Sequence, residues 1–96
     1  MRYHFDWDIA KALTNYRKHG VRFREGATIF IDPRALTIVD SDHGNGEERW
    51  VTIGISDQGR VLVVCHTFRE ETSISATIRI YSCRKANNRE IDQYTE

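Results

Sequence analysis

No apolar run in this chain approaches the roughly 20 residues that a helix needs to cross a bilayer, which excludes a helical membrane span. The opening Met1-Arg2-Tyr3-His4 starts no apolar signal segment. The expectation is therefore a cytoplasmic protein with no membrane partner. Cysteine is scarce: Cys65 and Cys83 lie in unrelated contexts, without ligand-like spacing, and fit reduced thiols better than a disulfide framework. The four histidines, His4, His19, His43 and His66, have no zinc-like spacing among themselves or with the cysteines. A glycine-rich phosphate loop, a nucleophile elbow and a paired-carboxylate signature are all missing. No metal and no cofactor are expected. Net charge is missing too, with 14 Lys and Arg against 14 Asp and Glu. That balance decides little, because the charges are segregated. Residues 26–59 hold Arg34 and Arg49 against Asp32, Asp40, Asp42, Glu47, Glu48 and Asp57; residues 60–85 hold Arg60, Arg69, Arg79, Arg84 and Lys85 against Glu70 and Glu71. Such a pattern can make one face strongly positive in a neutral molecule, and it permits a phosphate-bearing partner.

What is present suits one folded domain spanning 1–96, with 40% apolar residues and enough chain for a single core. Residues 7–23 are the most informative stretch. Asp8 is placed to cap a helix, Gly20 to end it, and Lys18 and His19 sit where the helix dipole favours cations. Ile9, Ala12, Leu13 and Tyr16 form one amphipathic stripe, with Lys11, Asn15 and Lys18 opposite. Before it, Arg2 to Phe5 alternates like a short strand. After it, Phe23, Ala27 and Phe30 give a shorter stripe that Gly26 weakens by roughly 1 kcal/mol relative to alanine, and Asp32-Pro33 stops it.

Strand signals follow. Ala35–Val39 is β-branched, Asp40–Glu48 reads as an acidic loop, and Trp50–Ser56 alternates. Asp57-Gln58-Gly59 turns the chain into Val61–Thr67, and Ile74, Ala76, Ile78 and Ile80 alternate with Ser75, Thr77, Arg79 and Tyr81. From Arg84, Asn87, Ile91 and Tyr94 keep helical spacing in a segment that its asparagines make intrinsically poor. The expected class is α+β: an antiparallel sheet with two N-terminal helices packed on it and a C-terminal helix, in the order β-α-α-β-β-β-β-α.

Alternation also predicts what the sheet presents. With Ile78 and Ile80 facing the core, Arg79 and Tyr81 face away; with Leu62 and Val64 inward, Val63, Cys65 and Thr67 share the outer face, and Arg69 continues the series. An open face carrying Arg69, Arg79, Thr67, Thr77 and Tyr81, with Arg84 and Lys85 beyond, could grip a sugar–phosphate backbone, since arginine presents a planar fork of donors. Pairing of these arginines with loop acids is the plainer alternative. Scattered Arg, Lys, His and Tyr suit phosphodiester cleavage without a metal.

Several blocks, in order and in register, resemble one known family. They are Phe5-Asp6-Trp7-Asp8-Ile9-Ala10-Lys11-Ala12, Asn15, Lys18-His19-Gly20-Val21-x-Phe23, Phe30-x-Asp32-Pro33, Glu47-Glu48-Arg49, Ile53-Gly54-x-Ser56, Gly59-Arg60-Val61-Leu62-Val63-Val64, Thr67-x-Arg69, Ile78-Arg79-Ile80-x-Ser82-x-Arg84 and Arg89-Glu90-x-x-x-Tyr94. The family is that of the BrnT toxins. The resemblance implies a RelE-like fold and the toxin of a type II toxin–antitoxin pair: a metal-independent endoribonuclease that blocks translation, on or off the ribosome. A BrnA-type antitoxin would neutralise it, the pair would bind operator DNA through the antitoxin, and higher-order toxin–antitoxin assembly would be compatible with it. By position it points to Lys18, His19, Arg60, Arg69, Arg79, Arg84 and Tyr94, with Glu47 or Glu48; Lys85 and Tyr81 join the substrate-binding set from the open face. A 2′-hydroxyl would attack phosphorus with His19 or Glu48 as base and His19, Lys18 or Tyr94 as acid, while Arg69 and Arg79 stabilise the phosphate charge. The alternative is a non-catalytic antitoxin-binding partner that acts in operon autoregulation.

Overall fold

Asp8 opens the first helix by side-chain capping, its Oδ1 accepting from the amides of Ala10 (2.8 Å) and Lys11 (3.2 Å). Gly20 ends it in the left-handed conformation at φ 70°, its N–H donating to the Tyr16 carbonyl. Around this helix the structure, a computed structural model, describes residues 1–40 and 48–96. The elements run β1 (Arg2–Asp6), α1 (Ile9–His19), α2 (Phe23–Ala27), a 3₁₀ turn (Thr28–Ile31), β2 (Leu36–Val39), β3 (Arg49–Ile55), β4 (Val61–Thr72), β5 (Ser75–Lys85) and α3 (Asn88–Thr95). No helix among the described residues is long and apolar enough to cross a membrane.

The five strands form one sheet in the order β1-β5-β4-β3-β2. β2 to β5 pair antiparallel, but β1 runs parallel to β5, with Arg2 opposite Ser75 and Asp6 opposite Arg79. The expectation of a wholly antiparallel sheet is thus corrected at one edge. Strands joined in sequence by short turns must reverse direction, whereas β1 and β5 are separated by most of the chain and are free of that constraint.

One sheet face holds the core: Leu62, Val64, Ile78, Ile80 and Cys83 pack against Val21, Phe23 and Ile29. Gly26 allows α2 to lie this close, since a Cβ there would sit 2.8 Å from Cys83 Sγ and 3.2 Å from Val64 Cγ2. Its cost to the helix is therefore offset by packing. The Phe23–Phe30 stripe is not one helix but α2 followed by the 3₁₀ turn. The Asp32 carboxylate fixes the exit by accepting from Arg34 N and Ile55 N, both at 2.9 Å. On the second face Ile53 and Val63 are also buried, so Val63, expected on an open surface, points outward from the core but is covered. α3 packs against β3. One of its asparagines helps it: Asn87 accepts from Glu90 N (2.8 Å) while Glu90 Oε1 accepts from Asn87 N (2.9 Å), a reciprocal cap.

α1 is rotated from its expected orientation, with Lys11 and Lys18 still exposed. Asn15, read as part of a polar side, is buried. Its amide donates to the carbonyls of Cys83 (2.8 Å) and Val21 (3.1 Å), and its oxygen accepts from Cys83 N (3.1 Å). β1 pairs with β5 only as far as Arg79, so the β5 edge beyond it needs a donor and an acceptor, and a carboxamide supplies both. Most of the apolar stripe is turned outward, Ile9 being 74% and Leu13 52% exposed, while Ala12 packs against the core.

A polar chain, buried at Thr52 and His66, crosses three strands. Thr37 and Thr52 hydroxyls meet at 2.8 Å, Thr52 Oγ1 and His66 Nε2 at 2.7 Å, and His66 Nδ1 lies 3.1 Å from the Thr67 carbonyl. A carbonyl only accepts, so the proton is assigned to Nδ1 and Nε2 accepts from Thr52. Burial holds the His66 pKa below its ordinary 6.5. The native state keeps this ring neutral while the unfolded chain protonates it, so stability is lost as pH falls below about 6.5. The melting temperature should therefore drop between pH 6.5 and 5, above the carboxylate range. In His66→Gln, melts over the same interval should show a flatter slope.

Candidate functional site

Strand register assembles the second face row by row. Arg49 on β3, Thr67 on β4, Arg79 on β5 and Asp6 on β1 lie opposite one another; Arg69, Thr77 and His4 form the next row. Cross-strand partners share a face, so side chains distant in sequence converge here. A cleft of ≈ 390 Å³ is lined by Asp6, Glu48, Thr67, Phe68, Arg69, Thr77 and Arg79. Of the residues expected on the open face, Arg69, Arg79, Thr67 and Thr77 line this cleft together with Glu48, and Tyr81 does not.

Both guanidinium groups carry carboxylate partners. Arg79 Nη1 donates to Asp6 Oδ2. Arg69 Nε donates to Glu71 Oε1 at 3.0 Å, and Thr77 Oγ1 donates to the same oxygen at 3.0 Å. The Arg69 and Thr77 hydrogen bonds lower the Glu71 pKa. These pairs are open to solvent, Arg79 and Asp6 at 49% and 54%, Arg69 at 76%. Exposed pairs of this kind are worth about 0–1 kcal/mol. A phosphate could replace either carboxylate at little expense.

Lys18 and His19 line a separate cleft with Lys11, Asn15, Tyr81 and Ser82, not the one that holds Arg69 and Arg79. The two clefts share no lining residue; along β5, Tyr81 of the one follows Arg79 of the other by two residues, about 7 Å of strand. Irregular pairing near Cys65 and His66 sets the position of Tyr81, and the Arg49 guanidinium lies 4.9 Å from its ring centroid. Burial raises the Tyr81 pKa.

Four further residues expected at the site lie at the other end of the sheet. Arg60 Nε donates to Glu25 Oε2 (2.9 Å), which also accepts from Ser56 Oγ (2.7 Å). Arg84 makes a two-pronged pair with Glu90 at 2.7 and 2.8 Å. The Tyr94 hydroxyl donates to Asp32 Oδ2 at 2.5 Å, and this bond raises the phenol pKa. Asp32 also holds Ile55 N, and Ile55 is six residues from Arg49, about 20 Å along the strand. Lys85, opposite Leu62, is as far from Arg79. The expectation that these residues meet in one site is therefore corrected: Arg69 and Arg79 share a cleft, Lys18, His19 and Tyr81 line a second one, and Arg60, Arg84, Lys85 and Tyr94 are elsewhere. Glu47 and His43 fall outside the described residues.

Sequence reasoning missed Asp6, His4 and Arg49. The alternation of Arg2, His4 and Asp6 was readable, but only the parallel docking of β1 puts these residues beside Arg79 and Thr77. Among the described residues no group of three or more His, Cys, Asp or Glu side chains is arranged to hold a metal ion.

Residues 7–90 match a family model described as the ribonuclease toxin BrnT of type II toxin–antitoxin systems. The chain is similar to the ribonuclease toxin BrnT of Brucella abortus, known from a 1.1 Å crystal structure, with a TM-score of 0.58 and 20% identity over 92% of this chain and 100% of that one. At that identity the likeness speaks for the fold. No curated protein matches the chain. The matched span includes Lys18, His19, Glu48, Arg69 and Arg79, and it leaves out Asp6 and Tyr94.

Proposed function

The chain belongs to the BrnT family of ribonuclease toxins of type II toxin–antitoxin systems, and from that premise we propose that it cuts RNA, without a metal ion, in the cleft between Arg69 and Arg79. The observation that carries this reading is the convergence of two guanidinium groups from adjacent strands beside Glu48. Two such groups supply the positive charge that in-line attack on a phosphodiester requires, and their planar forks match phosphate oxygens. In the proposed step the ribose 2′-oxygen bonds to the adjacent phosphorus as the bond from phosphorus to the 5′-oxygen breaks. Glu48 takes the proton from the 2′-hydroxyl, and His19 or Lys18, from the second cleft, gives one to the leaving 5′-oxygen. The products are a 2′,3′-cyclic phosphate and a 5′-hydroxyl. DNA, lacking the nucleophile, is spared. We read the fold as RelE-like and the outcome as blocked translation in the cytoplasm, relieved by a BrnA-type antitoxin that also carries the pair to operator DNA.

The pairing of Arg79 with Asp6 and of Arg69 with Glu71 favours a second reading, in which the face is sealed and the chain is an inert antitoxin partner. One assay separates the two. Purified protein in excess EDTA should cleave RNA and leave cyclic phosphate ends, and a single 2′-deoxy substitution at the cut position should block that cut. Cleavage that needs an added divalent ion would overturn the metal-free step; no cleavage of any RNA would favour the inert partner.

A further inference from the structure

The outer side of α1 is an apolar surface that the rest of the described residues leave uncovered. Ile9 is 74%, Leu13 52% and Tyr16 41% exposed, because Asn15 occupies the inward side of the same helix. Beside this stripe runs a groove lined by Trp7, Ile9, Ala12, Leu13, Tyr16, Arg22, Phe23 and Arg24. Its floor is rigid: the Trp7 and Phe23 rings meet edge to face at 6.0 Å, and Phe23 belongs to the core. Its rim is cationic. The Arg22 guanidinium lies 4.2 Å from the Tyr16 ring centroid, Arg24 lines the groove, and no described carboxylate does.

We infer that this face docks an amphipathic helix of the antitoxin, with its apolar side on Ile9, Leu13 and Tyr16 and its acidic flank against Arg22 and Arg24. The inference takes from the family only that a type II toxin has a protein antitoxin; the location and the chemistry come from the groove. An exposed apolar patch with a polar rim marks an association surface. A straight helical stripe with anchors at i, i+4 and i+7 matches a helix laid alongside it. A rim of one sign selects a partner of the other and speeds its approach. A second copy of this chain fits less well, because it would set these arginines against their own kind. The surface lies on the side of α1 away from the Asn15 contact with β5, so it can be altered without touching Arg69 or Arg79.

The test pairs this chain with the protein encoded by the reading frame adjoining its gene. Leu13→Glu should weaken that complex about 30-fold or more in a titration, as loss of a central anchor does. Arg24→Glu should slow association most at low salt, and Ile31→Glu, on an exposed residue outside the groove, should change nothing. Circular dichroism melts confirm that each variant is folded. Unchanged affinity in both Leu13→Glu and Arg24→Glu overturns the inference, as does failure of the wild-type chain to bind the adjoining product. A wild-type chain that sediments as a dimer and that Leu13→Glu turns into a monomer reassigns the face to self-association and also overturns it. Growth arrest on expression of the wild-type chain alone is scored separately. Its absence counts against the toxin reading and leaves the binding result intact.

Discussion

Replacing Arg79 with alanine is expected to slow RNA cleavage by about 10²–10³-fold, the usual cost of deleting one preorganised charge stabiliser from a transition state. The melting temperature should move little. Arg79 and its partner Asp6 are both about half exposed, and such a pair contributes about 0–1 kcal/mol to folding. The two readouts therefore separate a role in the reaction from a role in the fold. Asp6→Asn provides the complementary arm, since it removes the ion pair and keeps the guanidinium. Were Asp6 only a competitor for the phosphate site, cleavage should hold at or above the wild-type rate and the apparent KM for RNA should fall. Wild-type cleavage by Arg79→Ala would end the proposal that this cleft is the site of reaction. Equal losses in Asp6→Asn and Arg79→Ala would instead make the ion pair a unit that positions Arg79. Single-turnover assays on a short RNA distinguish these outcomes, because they report the chemical step apart from product release.

The local signals in the sequence were reliable where physics is local. Asp8 and Gly20 bound α1 as their chemistry requires, and the turn at Asp57-Gln58-Gly59 closes with Gly59 in the left-handed region at φ 77°. Strand alternation places Arg69, Arg79, Thr67 and Thr77 on one face because, along an unbroken stretch of strand, a side chain's face follows its parity; the irregular pairing near Cys65 and His66 interrupts that rule, and Cys83, of the same parity as Arg79, lies in the core. The failures came from interactions between distant segments. Parity does not say which edge β1 will join or in which direction, and so Asp6 and His4 were invisible as neighbours of Arg79 and Thr77. Apolar periodicity in α1 suggested burial of Ile9 and Leu13, but the demand of the β5 edge for a hydrogen-bonding side chain outweighed it and brought Asn15 inward. The arginine count was also a poor guide, since a guanidinium near a strand end can serve structure as readily as substrate. Arg60 and Arg84 show this most clearly, each held by a carboxylate that lies far away or on another element: Glu25 on α2 and Glu90 on α3.

Arg60 gives the sharpest separation between those two uses of arginine. Glu25 is only 5% exposed, and both of its oxygens are engaged, by Arg60 and by the Ser56 hydroxyl. The hydrogen bond from Arg60 is the largest influence holding the Glu25 pKa below 4.5, against the opposing effect of burial. Arg60→Ala strips a buried carboxylate of its counter-ion, a change that typically costs 3–5 kcal/mol. Arg60 is itself 32% exposed, so water can partly fill the gap and about 3 kcal/mol is the better expectation. In a domain of this size that lowers the melting temperature by roughly 12–24 °C. Below about pH 4.5 the gap between wild type and variant should narrow. The stabilisation carried by a carboxylate of lowered pKa is present above its unfolded value and is lost as pH falls through the native one. Glu25→Gln in the Arg60→Ala background should recover part of the loss, because a neutral amide is far cheaper to bury than an unpaired charge. Cleavage measured well below the melting point should stay near the wild-type rate, since Arg60 is some seven residues, about 23 Å of strand, from Thr67 in the cleft. A variant with an unchanged melting temperature and weakened RNA binding would return Arg60 to the substrate-gripping set and extend the interface across the length of β4.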